Sequence, residues 1–140
     1  MEKNQNLQNQ LYQLRILREQ YDMYQGQLEI LNASLGNYLN TKYTLKNLKD
    51  GVKEEDEILI PIGGVVGVKA SIQDTEKFLL FIGKDTVIEK SIDESIEYIE
   101  KLIQEHNEQI KSISEVVQKL NLTIQGMSQS IQNSYSEKPT

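Results

Sequence analysis

Between Ile92 and Ile131 apolar side chains return at steps of four and three without a break, through Ile92, Ile96, Ile99, Ile103, His106, Ile110, Ile113, Val117, Leu120, Ile124, Met127 and Ile131. A repeat held over about five heptads marks a helix that buries one stripe against another helix. No other feature of the chain restricts its fold as much, because such a helix is marginal in water until a second stripe covers it. Ser91, with Glu94 three residues on, makes a capping box that predicts the helix start. Asp93, Glu94 and Glu97 place negative charge on the positive end of the helix dipole.

A matching stripe lies nearer the other terminus. From Leu7 to Lys49 there is no proline, and Leu17, Tyr21, Tyr24, Leu28, Leu31, Leu35, Tyr38 and Leu45 keep one seam, interrupted by Lys42. Leu7, Leu11 and Leu14 sit in an offset frame, a spacing that locally overwinds a coiled coil. Lys46 and Lys49 suit the negative end of the dipole, and Gly51 is available as the left-handed residue that ends a helix. The first helix is therefore predicted over 1–50 and the second over 91–136.

Residues 57–90 change character, becoming rich in Ile, Val, Phe and Gly with turn residues at short intervals. Four short strands are predicted, over 58–62, 65–72, 78–82 and 87–89. They form two hairpins around Gly63-Gly64 and Gly83-Lys84-Asp85-Thr86, joined by Asp74-Thr75-Glu76-Lys77. Each helix of about 40 residues is roughly 60 Å long, and hairpins return to where they begin, so the helices are expected to run antiparallel with both termini at one tip. Strands such as 58–60 and 78–82 are apolar on both faces, and isolated hairpins are marginal. The expected fold is α+β, one domain over 1–140: a long antiparallel coiled-coil hairpin with a central four-stranded β-insert of two hairpins, which several chains close into an oligomeric β-barrel platform.

Other chemistry is poorly supplied. The formal charge of -6 argues against a nucleic-acid partner, and the absence of cysteine removes disulfides and thiolate metal sites. Met1-Glu2-Lys3-Asn4-Gln5 lacks the apolar region of a secretion signal, and no run of about 18 apolar residues could span a bilayer. A soluble cytoplasmic protein is expected. The single histidine, His106, stands in the seam among isoleucines, a place for register or local polar packing, with a pH switch as the alternative reading. Gly63-Gly64-Val65-Val66-Gly67 lacks the order of a phosphate loop, and Glu54-Glu55-Asp56-Glu57 lacks the alternating ligands of a calcium loop. Catalytic, cofactor-binding and metal residues are expected to be none, and the chain is not expected to be an enzyme.

The order helix, two hairpins, helix resembles the prefoldin family. The resemblance is carried by Glu57-Ile58-Leu59-Ile60-Pro61-Ile62-Gly63-Gly64, Val68-Lys69-Ala70, Asp74-Thr75, Ile82-Gly83, Glu89-Lys90 and Asp93-Glu94-Ser95-Ile96-Glu97-Tyr98. It spans nearly the whole chain, and two hairpins are similar to the α-type subunit, since the β type carries one. Family members often have a more glycine-rich turn at residues 83–86. The resemblance implies an ATP-independent holdase subunit, two copies joining four of a β-type prefoldin subunit, that captures unfolded clients at the coiled-coil tips and hands them to a group II chaperonin. The alternative is a non-chaperone structural scaffold or prefoldin-like assembly module.

Charge along the helices locates the expected contacts. Residues 4–14 and 120–136 contain no charged side chain; Leu7, Leu11, Tyr12, Leu14, Leu122, Ile124, Met127, Ile131 and Tyr135 are interleaved there with Asn and Gln. These are the expected client-binding residues. The strand residues Ile58, Leu59, Ile60, Ile62, Val66, Val68, Phe78, Leu80, Phe81 and Ile82 are the expected oligomerisation contacts.

Overall fold

The heptad stripe of the C-terminal segment becomes one unbroken helix in the computed structural model, which describes residues 2–136. The 1–140 span expected for one domain also takes in Met1 and residues 137–140, which lie outside the described residues. In chain order the elements are α1 (Glu2–Gly51), β1 (Glu57–Pro61), β2 (Gly67–Ser71), β3 (Lys77–Phe81), β4 (Val87–Ser91) and α2 (Ile92–Ser136). They fall into two compact units, Leu35–Glu105 and the terminal segments up to Ser34 and from His106.

Within Leu35–Glu105 the two helices meet as an antiparallel pair. Lys42 Nζ lies 3.3 Å from Glu100 Oε1, and Lys49 Nζ lies 2.5 Å from Asp93 Oδ1, so one heptad forward on α1 matches one heptad backward on α2. Leu45 and Ile99 are buried between these pairs. The lysine that interrupts the seam, Lys42, is half-buried and carries its ammonium out to Glu100. Lys49 stands in the last turn of α1 and Asp93 in the first turn of α2, so each suits its own helix dipole as well as its partner. The Asp93 carboxylate accordingly raises the Lys49 pKa, by hydrogen bond and by charge.

Within the terminal unit Leu14, Val117 and Ile131 are buried, and His106, Ile110, Ile113, Leu120, Ile124 and Met127 are half-buried. Tyr21, Tyr24, Leu28 and Leu31 of α1 are half-buried too, and Gln25 Nε2 donates to Tyr21 Oη at 2.9 Å. The expected offset is absent: the covered face runs on through Leu17, Leu14, Gln10 and Leu7 at steps of three, four and three, so Leu7 and Leu14 stay in the seam, a glutamine takes the place between them, and Leu11 falls beside it, exposed.

The insert holds two separate two-stranded antiparallel sheets, β1 with β2 and β3 with β4. Ile58 faces Ala70 and Ile60 faces Val68; Leu80 faces Ile88 and Phe81 faces Val87. Both hairpins close alike, with Ile62 N–H donating to Val66 C=O at 2.8 Å and Ile82 N–H to Thr86 C=O at 3.0 Å. The first closure leaves Val65 in a turn, where Gly63 takes a φ of 104°, so the second strand begins at Gly67 rather than at residue 65. Gly67 is needed for space: a Cβ there would come 3.0 Å from Leu59 Cδ1.

Gly51 remains helical, and the left-handed residue is Glu55, with a φ of 71°. It sits in a turn where Lys53 N–H donates to Asp56 Oδ2 at 2.8 Å and Glu55 N–H donates to Ile72 C=O at 2.7 Å. The acidic run at 54–57 thus ties the end of α1 to the first hairpin. Asp74 organises the link between hairpins, its Oδ1 accepting from Glu76 N–H at 2.8 Å and Lys77 N–H at 3.1 Å. At the start of α2, Glu94 N–H donates to Ser91 Oγ and the Ser91 hydroxyl donates to Glu94 Oε1, each at 3.1 Å. One turn on, the fully buried Ser95 hydroxyl donates to Ser91 C=O at 2.8 Å.

Two predictions follow from these contacts. Ile99→Ala, which empties a buried seam position, is expected to cost about 2–4 kcal/mol and to lower the thermal midpoint, whereas Ile30→Ala on the exposed face should stay within about 0.5 kcal/mol; equal shifts would contradict the seam. Backbone N–H donors at Asp74, and the Ser91 hydroxyl followed by the Lys90 ammonium at Glu94, hold both carboxyls below their ordinary values of 3.8 and 4.5. Depressed folded values add stability that is present above those ordinary values and lost as pH falls through the lowered ones. Chemical denaturation from pH 7 down to about pH 3 should therefore show stability falling below about pH 4.5, and less steeply in Ser91→Ala, which lacks the main donor to Glu94.

Candidate functional site

Both hairpins leave more apolar surface in water than they cover. On the first, Leu59, Ile60, Ile62, Val66 and Val68 are exposed and Ile58 is half-buried. On the second, Leu80 and Phe78 are half-buried while Phe81 and Ile82 are exposed, Phe81 at 79%. Alternation explains the pattern: Phe78, Leu80 and Ile88 point to one face, and Leu79, Phe81 and Val87 to the other. The first face runs alongside α2, where Leu80, Ile88 and Tyr98 form the apolar lining of an open groove of about 550 Å³ edged by Lys90, Glu97 and Lys101. Near the end of α1, Leu48, Val52, Ile72, Thr75 and Phe78 close around a void of about 10 Å³, so Phe78 and Ile72 tie the hairpins to that helix. What remains uncovered is a set of strand faces that a further chain could pair with or pack on.

Three exposed apolar residues were not among the expected oligomerisation contacts: Leu79, Val87 and Val65, the last 98% exposed. Leu79 and Val87 were legible from strand alternation with Phe81. Val65 was not, because its exposure depends on the turn geometry around Gly63.

The charge-free terminal stretches fall in one unit, and their apolar residues divide into two sets. Leu14 and Ile131, at 7% and 6% exposure, are buried in the helix packing and so present no surface for contact in this state. Leu7, Ile124 and Met127 are half-buried. Tyr12, Leu122, Tyr135 and Leu11 are open to solvent, Leu122 at 68%. Thr123, Ser134 and Ser136 turn their hydroxyls back onto the helix, as with Thr123 Oγ1 donating to Lys119 C=O at 2.9 Å. The exposed set is large apolar and aromatic side chains among Asn and Gln, with no fixed charge. On α1, Met23 and Ile30 are also more than half exposed, outside that charge-free stretch. A second apolar spacing on the helix, distinct from the seam, is the signal that finds them.

No helix among the described residues is long and apolar enough to cross a membrane. A replacement of Leu79 and Phe81 by Ser should leave the helical signal and thermal midpoint within a few degrees of the parent chain while reducing binding of a hydrophobic fluorescent dye; an unchanged dye signal would mean the strand faces are not the exposed apolar surface.

The family profile described as Prefoldin subunit matches residues 17–137. The prefoldin subunit alpha of Pyrococcus horikoshii is 34% identical over 110 residues, covering 79% of this chain and 74% of the relative. The prefoldin subunit alpha 1 of Thermococcus kodakarensis is 34% identical over 105 residues, covering 75% and 71%. Among solved structures, a filamentous PFD from Methanocaldococcus jannaschii matches with a TM-score of 0.70 at 21% identity, covering 81% of this chain and 93% of that one. The prefoldin beta subunit from Thermococcus strain KS-1 matches with a TM-score of 0.62 at 14% identity, over 96% and 95%. At these identities the two structures establish the fold.

Proposed function

The chain belongs to the prefoldin family, a family of chaperone subunits rather than a known enzyme family, and from that membership we propose that it is an α-type holdase subunit, binding non-native proteins without ATP. The observation that carries the proposal is the exposed apolar surface at two places with different chemistry. The hairpin faces are aliphatic strand surfaces with unpaired edges, suited to a permanent partner of the same construction. The terminal surface is aromatic, amide-rich and uncharged, suited to weak contact with many sequences.

In this reading two copies join four β-type subunits through Ile58, Leu59, Ile60, Ile62, Val66, Val68, Phe78, Leu80, Phe81 and Ile82, together with Leu79 and Val87. Their hairpins then close a barrel that no single chain can form. Clients touch Leu11, Tyr12, Leu122 and Tyr135, with Leu14 and Ile131 serving to hold the helix pair together. Each contact is weak, and several subunits in one assembly raise the effective concentration of the others. Release by handover to a group II chaperonin, and residence in the cytoplasm, complete the proposal on the strength of the family.

The test is suppression of aggregation of a chemically denatured protein by the assembled complex. Tyr12→Ser, Leu122→Ser and Tyr135→Ser together should leave assembly intact and reduce protection at least several-fold. Full protection by this variant would sink the client surface, and no protection by the parent assembly would favour the scaffold reading instead.

A further inference from the structure

Helix α1 carries a second heptad stripe that its partner helix does not use. Tyr12, Ile16, Glu19, Met23, Gly26, Ile30 and Ala33 follow one another at steps of four and three, apolar or small at every position except Glu19. On a helix this stripe lies on the order of 150° around from the seam of Leu17, Tyr21, Tyr24, Leu28 and Leu31. Three of its large apolar members are open to solvent: Tyr12, Met23 and Ile30 are 62%, 52% and 69% exposed, while Ile16, like the seam residues, is half-buried. Nothing lies within 4 Å of a Cβ built on Gly26, so the small residue leaves an open notch between Met23 and Ile30. The whole stripe falls within one compact unit.

The flanks of the stripe differ from each other. On one side Gln13, Gln20 and Gln27 repeat at the heptad interval. On the other stand Arg15, Asp22 and Glu29 at the same interval. Arg15 is engaged with Glu19 at 3.3 Å, which neutralises the one charge inside the stripe. Asp22 and Glu29 have no cation partner among the described residues. The uncompensated charge beside the stripe is thus two carboxylates, seven residues apart.

A second copy of α1 is a poor occupant. Laid parallel, it sets Glu19 beside Glu19; laid antiparallel with the stripes interleaved, it sets Asp22 beside Glu29, or beside its own copy with Arg15 facing Glu29, and that arginine is already engaged with Glu19 and would have to leave it. The stripe is about 33 Å long, so one helix along it comes near the lower end of specific interfaces, about 1,200 Å² in total, which suits a reversible occupant. We propose that the outward face of α1 from Tyr12 to Ala33 receives an amphipathic helix whose apolar side packs on Tyr12, Ile16, Met23 and Ile30 over Gly26, and whose Lys or Arg residues, one heptad apart, pair with Asp22 and Glu29. The surface shares Tyr12 with the proposed client contacts, but Met23, Ile30, Asp22 and Glu29 lie outside the charge-free stretch, so the proposal does not rest on the client reading.

The probe is a fluorescent synthetic 21-residue helix with leucines at heptad spacing and two lysines one heptad apart on its flank, titrated against the full chain by anisotropy; its counterpart carries glutamates in place of the lysines. The lysine peptide should bind at least about tenfold more tightly than the glutamate peptide. Asp22→Lys with Glu29→Lys should invert that preference, while Glu105→Lys with Glu108→Lys, the same change in net charge at other exposed sites, should preserve it. Met23→Ser with Ile30→Ser, at surface positions that leave the fold intact by circular dichroism, should weaken the lysine peptide about tenfold. Leu122→Ser with Tyr135→Ser should leave peptide binding unchanged, which separates this surface from the client one. Equal binding of both peptides, binding insensitive to Met23 and Ile30, a preference that both charge-reversed variants lose alike, or a self-association of the chain abolished by Met23→Ser with Ile30→Ser would each overturn the proposal.

Discussion

Everything in this chain depends on α2 having one apolar stripe and therefore needing one covering helix. Its heptad positions from Ile92 to Ile131 are buried or half-buried throughout. The covering helix is α1, and the direction of pairing is fixed where the ion pairs Lys42–Glu100 and Lys49–Asp93 step oppositely along the two helices. These surface pairs add little energy by themselves. Their significance is registration, since a slip of one residue would move the buried positions out of the seam while parting both pairs. The helices consume each other's seams, so those seams cannot also cover what lies between them.

The insert inherits the consequence. Two-stranded hairpins are marginal on their own, and here one face of the second hairpin gains partial cover from α2 while Leu79, Phe81 and Val87 on the other face stay in water. Uncovered apolar strands with free edges are tolerated in nature when another chain covers them. Under the proposed function, the exposed hairpins and the sparing of charge at the terminal stretches are two answers to one requirement: permanent association at one place and transient association at another.

How much of this was legible in the residues varies with the local physics. The α2 stripe and its capping box could be read directly, because a single unbroken period and a Ser–Glu pair at fixed spacing have few alternative structures. The hairpins were legible in number and order, though not in turn length, because the closure between Ile62 and Val66 depends on backbone angles at Gly63 that several glycine-containing turns could share. Gly51 misled, since a glycine can end a helix and need not; the turn was made by Glu55 instead. On α1 two stripes overlap in sequence, so following the seam alone hid Met23 and Ile30. For Leu14 and Ile131, lack of charge nearby suggested an accessible surface, whereas burial is decided by which side of the helix faces the partner.

The central claim is that the hairpin faces need other subunits, and light scattering of the chain alone and mixed with a β-type prefoldin subunit tests it most directly. The account predicts a defined particle of six subunits in the mixture, with two copies of this chain, that is lost when Leu59 and Phe81 are replaced by Lys. A stable monomer both alone and in the mixture would contradict it, because the strand faces would then be self-sufficient in water.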